Sequence, residues 1–513
     1  MSELTDRTLI TGRWVFTGAE GVDDLLTEGA ILVEGGHVRD VGSRRVLRER
    51  YRGARIVGSD RYAVMPGLIN AHHHSHGATS AQHGISDQVL EPWILSLARK
   101  RETNPYLNTL LSAGRLLRTG VTTVVDNFGG GGTADQYSHQ VRNALRGYEH
   151  AGMRAAFAAG FKTEGFLVHG SGEDQRFMQS LSPDLQILAS RRLPEPGAMA
   201  VDEYFGLMAD HHERYADHPR VDLWFGPPGP QWVSPQFLCQ LAETAESWNV
   251  GIQTHVNESL YERLHAEKFY GEPTMLFLER LGILSPRFSV AHGVWCNEEE
   301  LDVLGRNGVS VAHNPSSNLR LRAGIAPVNA MRTNDVNVAL GLDGTTIDDD
   351  DDMFAEMRLA KHLSGSPELS GPALGWRDVW GMATLGGARL YGRPGVLGRL
   401  AAGYAADVVL VDLERITSPW VAPEADPLEL TLMRARAGDV EMVLVGGEVV
   451  FERGEPTRFD EQEAAAAFAD ALEETPFPAD AAEMIDELKP RINAWYEAWD
   501  VPELKPWMAR NSK

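Results

Sequence analysis

Between residues 65 and 390 the apolar residues fall in short continuous runs. These are GLINAH (67–72), TTVVDN (122–127), RAAFAAG (154–160), VDLWFG (221–226), VGIQTH (250–255), FSVAH (288–292), VSVAH (309–313) and VNVALGLD (336–343). A short, nearly unbroken apolar run bounded by turn residues predicts a strand buried on both faces. Helical periodicity fills most of the gaps. PQFLCQLAETAESW (235–248) follows Ser234, a good helix cap, and NEEELDVLGRN (297–307) carries acids in its first turn, where the helix dipole favours them. Eight buried strands alternating with helices predict an α/β fold, a closed (β/α)8 TIM-like barrel, with a doubly wound open sheet as the alternative. Residues 173–200 fit neither pattern and read as an excursion from the barrel.

The two flanks of this region have a different texture. Residues 1–64 alternate apolar and polar positions between glycines, as in TLITGRWVFTG, EGAILVEGGHVRDVG and GARIVG. The same texture returns in LGRLAAGYAADVVLVDL and DVEMVLVGGEVVFERG. Together the ends predict one β-sandwich, in two parts (1–64 and 391–455), with the barrel (65–390) inserted between them. Beyond it, 456–513 reads as a helical extension, EQEAAAAFADALEE and AAEMIDELKPRINAWYEAWD, packed on the outside.

Composition narrows the function classes. The 513 residues carry a net charge of −24, which argues against nucleic acid or an anionic membrane as partner. No run approaches the ~18 apolar residues of a membrane span. The opening MSELTDRTLI lacks a basic, apolar leader, and two cysteines, Cys239 and Cys296, are too few for a disulfide framework. A reducing, cytoplasmic setting, a small-molecule substrate and self-association into a dimer or higher homo-oligomer are the expectations.

Candidate chemistry sits at the strand ends, where such barrels place their sites. Strand parity puts His72 and His74 on one face and His73 on the other, toward the barrel wall. The fifth, sixth, seventh and eighth runs end in His255, His292, His313 and Asp343. Imidazoles with a carboxylate are a donor set for a divalent transition metal such as Zn²⁺ or Fe²⁺.

PGLINAHHH, THVNE (254–258), AHGVW (291–295), HNPSSN (313–318) and GLDGTTIDDDDDMFAEMRLA (341–360) also resemble the motifs of the amidohydrolase superfamily, specifically its cytosine-deaminase and chlorotriazine-hydrolase branch. The likeness spans about residues 1–455. It implies one metal, Zn²⁺ or alternatively Fe²⁺, held by His72, His74, His255 and Asp343. It also implies that Glu258 shuttles protons and that His292 orients the attacking water or polarises the substrate. Asp343 would accept a proton from that water. Glu258 lies three residues past His255, so it reaches the site only if the chain curls inward after the strand. Dinuclear relatives need a carboxylated lysine at the end of strand 4. VDLWFGPPGP has none, and Lys162 follows strand 3, so one metal is expected.

Other residues keep two readings. His76 and His83 either line the pocket or are loop histidines, and His313 shapes the pocket or is a packed core residue. Cys296 heads the next helix in preference to binding metal. Asp348–Asp352 starts a helix or makes the mouth acidic, and Gly129–Gly132 is a loop over the site and no P-loop. Trp93, Trp232 and Trp295 are wall residues or stack on a flat ring. The function expected is a metal-dependent hydrolase that expels ammonia or an amine from an aminated N-heterocycle of purine, pyrimidine, pterin or triazine type. Hydrolysis of an amide, urea or (thio)carbamate at the same site is the second reading, and an inactive barrel scaffold the third.

Overall fold

The computed structural model describes residues 7–18, 24–505 and 507. The first six residues, read above only for their lack of a leader, lie outside that range. Five strands open the chain: β1 (Arg7–Phe16), β2 (Leu25–Thr27), β3 (Gly29–Glu34), β4 (His37–Ser43) and β5 (Arg55–Pro66). Eight more follow in the middle: β6 (Leu68–His73), β7 (Val121–Gly129), β8 (Arg154–Gly160), β9 (Val221–Phe225), β10 (Ile252–Val256), β11 (Phe288–His292), β12 (Ser310–His313) and β13 (Val338–Leu340). The last four are β14 (Val408–Asp412), β15 (Val440–Val445), β16 (Glu448–Glu452) and β17 (Glu455–Pro456).

The middle eight pair in chain order, β6 through β13, and all parallel. The sheet then closes on itself, because the amides of Leu342 and Asp343 donate to the carbonyl of His72 at 3.2 and 3.0 Å. Closure excludes the open doubly wound sheet and bears out the barrel. Strand alternation sorts the side chains. Ile69, Ala71, Val125, Ala156, Ala158, Trp224, Ala312 and Ala339 pack together with Ala388, Leu390 and Tyr391, forming the small-residue layer inside the barrel. Their neighbours along each strand, such as Leu68, Val124, Phe157, Phe225, Val311 and Leu340, pack instead in the large cluster shared with the surrounding helices.

Both chain ends build one nine-stranded sheet in the order β17-β16-β15-β14-β5-β1-β3-β4, with β2 on β1. Its period-2 pattern explains its two faces. Val408 and Leu410 join Ile10, Ile31, Val64 and Leu444 in the sandwich interior, while Val409 and Val411 face the barrel cluster.

The C-terminal helices have a more specific place than a generic outer layer. Helix Glu461–Glu474 lies on helix Pro105–Arg118. Helix Ala479–Glu497 lies over loops that follow the barrel strands, burying Met484, Ile485, Leu488 and Ile492 against Leu95, Leu167, Phe177 and Leu264. The 173–200 excursion forms two short helices, Glu173–Gln179 and Pro183–Ser190, under the same helix. Tyr496 accepts the amide of His169 at 2.9 Å, and the Trp507 indole donates to the Cys296 carbonyl at 3.1 Å. No helix among the described residues is long and apolar enough to cross a membrane.

Because Leu488 is fully buried in that interface, Leu488→Ala is expected to lower stability by about 2–5 kcal/mol. Urea unfolding measures the loss; an unchanged midpoint would mean that the terminal helix does not hold the loops.

Candidate metal and catalytic site

The first strand does not carry its parity straight through to the histidines. Asn70 stands opposite Val124 and His73 opposite Asp126, so three steps on β6 match two on β7. This bulge reverses the facing of the chain. Ile69 and Ala71 point inward before it, and His72 and His74 point inward after it. His73 turns outward and its Nε2 meets Ser112 Oγ of the neighbouring helix at 2.9 Å.

The inward imidazoles converge. The Nε2 atoms of His72 and His74 lie 3.2 and 3.3 Å from Asp343 Oδ1, and His74 Nε2 is 3.2 Å from His255 Nε2. His292 Nε2 lies 3.8 Å from the other oxygen, Oδ2, and 3.5 Å from Glu258 Oε2. One donor atom from each of His72, His255, His292 and Asp343 falls within 4.8 Å of the other three. His74 and His292 thus compete for a place beside the shared trio. His74 faces the same carboxylate oxygen as His72, whereas His292 faces Glu258.

Every one of these rings is anchored from behind. The Nδ1 atoms of His74 and His255 lie 2.6 and 2.7 Å from the carbonyls of Asn127 and Pro228. His292 Nδ1 is 2.9 Å from Asn318 Oδ1, and His72 Nδ1 is 2.8 Å from Gln253 Oε1. The Gln253 amide nitrogen donates to the Ala71 carbonyl, which fixes its oxygen toward His72. These oxygens favour a proton on Nδ1 and an Nε2 lone pair turned inward, the arrangement of metal-binding histidines. Burial reinforces it by disfavouring the charged rings: His74 is pushed down to about 3, His292 to about 4 and His255 well below its ordinary value. The Nε2 atoms of His72 and His292 are buried without a hydrogen-bond partner, a costly state that a cation would relieve. The donor set fits a divalent metal.

Glu258 reaches the site by the inward curl that its position demands. Asn257 follows β10 in the left-handed region (φ 52°), held by Thr274 and Glu300, and Ser259 caps helix Leu260–His265. The turn swings Glu258 toward His292, and its own amide donates to Glu262 Oε2 at 2.7 Å. His292 (φ 76°) and Asp343 (φ 58°) adopt the same disfavoured region, at a cost of about 1–3 kcal/mol each. Burial, then the carboxyls of Glu262, Asp343 and Glu91, raise Glu258 well above the ordinary range and favour its protonated form. Glu91 and Glu262 are likewise raised by burial, to about 7 and about 8. Burial also pushes Asp343 up, but its contacts with His72 and the other imidazoles outweigh that and keep it ionised.

The remaining candidates spread outward. His76 stacks at 6.3 Å on His74, whereas His83 lines a separate side cavity. His313 is buried with neither ring nitrogen bonded. Cys296 is buried just before the helix cap Asn297, away from the cluster. Asp352 caps helix Met353–Leu363, and Asp349 and Asp351 pair with Arg320 and Arg115, so the acidic run is largely consumed by structure. Trp295 donates to the Ala323 carbonyl, Trp232 carries Lys162 on its face, and Trp93 is half-buried. Lys162 follows β8, the third barrel strand, and β9 contains no lysine. The sequence reading missed Gln253, Asn127, Asn318 and Ser317. Gln253 sits two residues before His255 on one strand, so parity alone could have found it.

A closed barrel with an inward cluster of histidines and one aspartate at the strand ends defines a metal-dependent hydrolase. The Amidohydrolase family profile matches residues 63–450, and the chain belongs to that family. A 5-methylthioadenosine/S-adenosylhomocysteine deaminase from Moorella thermoacetica is 30% identical over 449 residues, 86% of this chain and 93% of the relative. Its counterpart from Syntrophobacter fumaroxidans is 29% identical, over 83% and 88%. Among solved structures, a zinc-bound adenosine deaminase from Xanthomonas campestris superposes with a TM-score of 0.76 at 27% identity, covering 91% of this chain and 98% of that one. An atrazine chlorohydrolase from Arthrobacter aurescens shares the fold (TM-score 0.74, 23% identity, 91% and 100% covered).

Replacing Gln253 by leucine removes the acceptor that orients His72. Metal affinity is expected to fall about 10–100-fold in a folded protein, read by competition with a chromogenic chelator. His73→Ala is the control: its ring faces Ser112, so metal content should match wild type, and loss of metal there would mean the wrong side of β6 has been chosen.

Proposed function

We propose that the protein deaminates an aminated N-heterocycle by hydrolysis, with one divalent metal, zinc in the first instance, held by His72, His74, His255 and Asp343. The observation that carries this reading is the Glu258 carboxyl buried 3.5 Å from His292 Nε2 at the edge of the four-donor nest, where burial and neighbouring carboxyls favour its protonated form. Lysine-free β9 and the placement of Lys162 after β8 support one ion over two.

A divalent ion held by His72, His74, His255 and Asp343 would supply Lewis acidity, under which water is nucleophilic near neutral pH. The protein's own groups divide the remaining work. Asp343 turns Oδ1 to the histidines, whereas Oδ2 is held by Ser317 Oγ at 2.5 Å on the side of His292. Oδ2 is therefore the base that takes a proton from the attacking water. Glu258 gives its proton to the exocyclic nitrogen, which leaves as ammonia when the C–N bond breaks. His292, fixed by Asn318 with Nε2 facing inward, accepts from the attacking water and orients it. The balance is one water consumed and one ammonia, or alkylamine, released. The names of the relatives make 6-aminopurine nucleosides the first substrates to try, with aminopyrimidines, pterins and triazines behind them.

Ammonia release from such a panel by zinc-loaded protein is the direct test. Turnover of an N-aryl urea or carbamate, with no ring substrate reacting, would replace deamination by the second hydrolytic reading. Elemental analysis is expected to give about one ion per chain; close to two tightly bound ions would overturn the mononuclear site. Glu258→Gln should keep the ion and the fold while turnover falls at least about 100-fold, the ordinary size of a proton-transfer contribution.

A further inference from the structure

Beside the catalytic face, a cavity of about 680 Å³ opens between the loop after β6 and helix Glu461–Glu474. Its chemistry contrasts with a chain whose net charge is −24. Arg99, Arg101 and Arg115 line it, and the one acidic lining residue, Glu461, is already paired with Arg118. Leu111, Phe468, Leu472 and Phe477 line it as well, with Leu111 one turn before Arg115 on the same helix. The cavity therefore mixes cationic and apolar lining.

The arginines are not equally engaged. Arg115 is spent on structure: it holds the carbonyls of His76 and Gly77 and pairs with Asp351. Arg101 donates to the Leu472 carbonyl. Arg99 makes no ion pair or hydrogen bond with the described residues, and its Nε is buried without a partner. Next to them Lys100 has no anionic partner among the described residues, and His83, another lining residue, is pushed down by burial and then by the charges of Lys100 and Arg101. A guanidinium partly stripped of water among apolar side chains is a site suited to a weakly hydrated anion.

We propose that this cavity binds an organic acid, with its carboxylate on Arg99 and Arg101 and its apolar body against Phe468, Leu472 and Leu111. The volume suits a ligand of small-molecule size. Two sources supply this chemistry: a separate acid that acts as an effector, or an acidic arm of the substrate itself, the latter resting on the deaminase reading. Either way the occupant acts on the loop that carries His74. Arg115 fixes the carbonyls of His76 and Gly77, and Phe468 lies so close over Gly77 that a Cβ there would be 2.5 Å from its ring.

Calorimetric titration of octanoate, with 1-octanol as the uncharged control, into the metal-loaded protein tests the site without any need for turnover. Octanoate is expected to bind at least about tenfold more tightly than octanol, the scale of one charge-assisted contact. Arg99→Met should remove that preference. Ala469→Trp, a substitution at an exposed lining position, should fill the cavity and abolish binding of both ligands with the fold intact by circular dichroism. Equal affinity for acid and alcohol, no binding up to millimolar octanoate, or binding unaffected by either variant would overturn the proposal. With an active substrate in hand, competition by octanoate assigns the cavity to a substrate arm, and a change in kcat at constant KM assigns it to a separate effector. If no heterocycle turns over, the binding result stands on its own.

Discussion

The carbonyl of His72 holds the seam of the barrel. By accepting the amides of Leu342 and Asp343 it joins the last strand to the first, and the same residue sends its imidazole into the nest. Barrel closure and assembly of the donor set are thus one event: when the seam forms, His72 Nε2 and Asp343 Oδ1 come within 3.2 Å. A residue whose backbone and side chain both serve the seam tolerates little change. Even Gly341 beside it leaves no room, because a Cβ there would lie 2.2 Å from Asn314 Oδ1.

The nest is stabilised from outside itself. Four imidazoles in a buried space would be disordered in tautomer and orientation without the oxygens of Gln253, Asn127, Pro228 and Asn318 behind them. Those acceptors come from strands, loops and a helix that meet only in the folded barrel. The opposing cost, left-handed backbone at Asn257, His292 and Asp343, is carried by the surrounding packing. It yields strand ends that turn side chains inward where a regular strand would send them out.

Around this centre the terminal helices tie down the loops. Glu91, on helix Leu90–Ser96, bonds Ser259 next to Glu258, and helix Ala479–Glu497 packs on that same helix. The C-terminal extension therefore bears on the buried surroundings of Glu258, although it lies beyond the 63–450 stretch matched by the family profile.

The sequence by itself determined an eight-stranded parallel α/β sheet, because eight buried apolar runs need a sheet covered on both faces; the seam at His72 decided that it closes. The sequence also determined the kind of donors at the strand ends, since His255, His292 and Asp343 close apolar runs whose direction is fixed by topology. Local pattern covers the helix caps too: Ser234, Asn297 and Asp352 cap where their spacing says they should. Tertiary structure decided the rest. Simple alternation from Ile69 and Ala71 would have turned His73 inward, and only pairing with β7 creates the bulge that turns His72 and His74 in instead. Only the assembled barrel sets His74 against His292 for the fourth place and brings Gln253 behind His72, 181 residues away in sequence. It alone lays the last helix across the loops of the catalytic face. Those outcomes depend on register and on contacts between distant segments, which hydrophobic period does not encode.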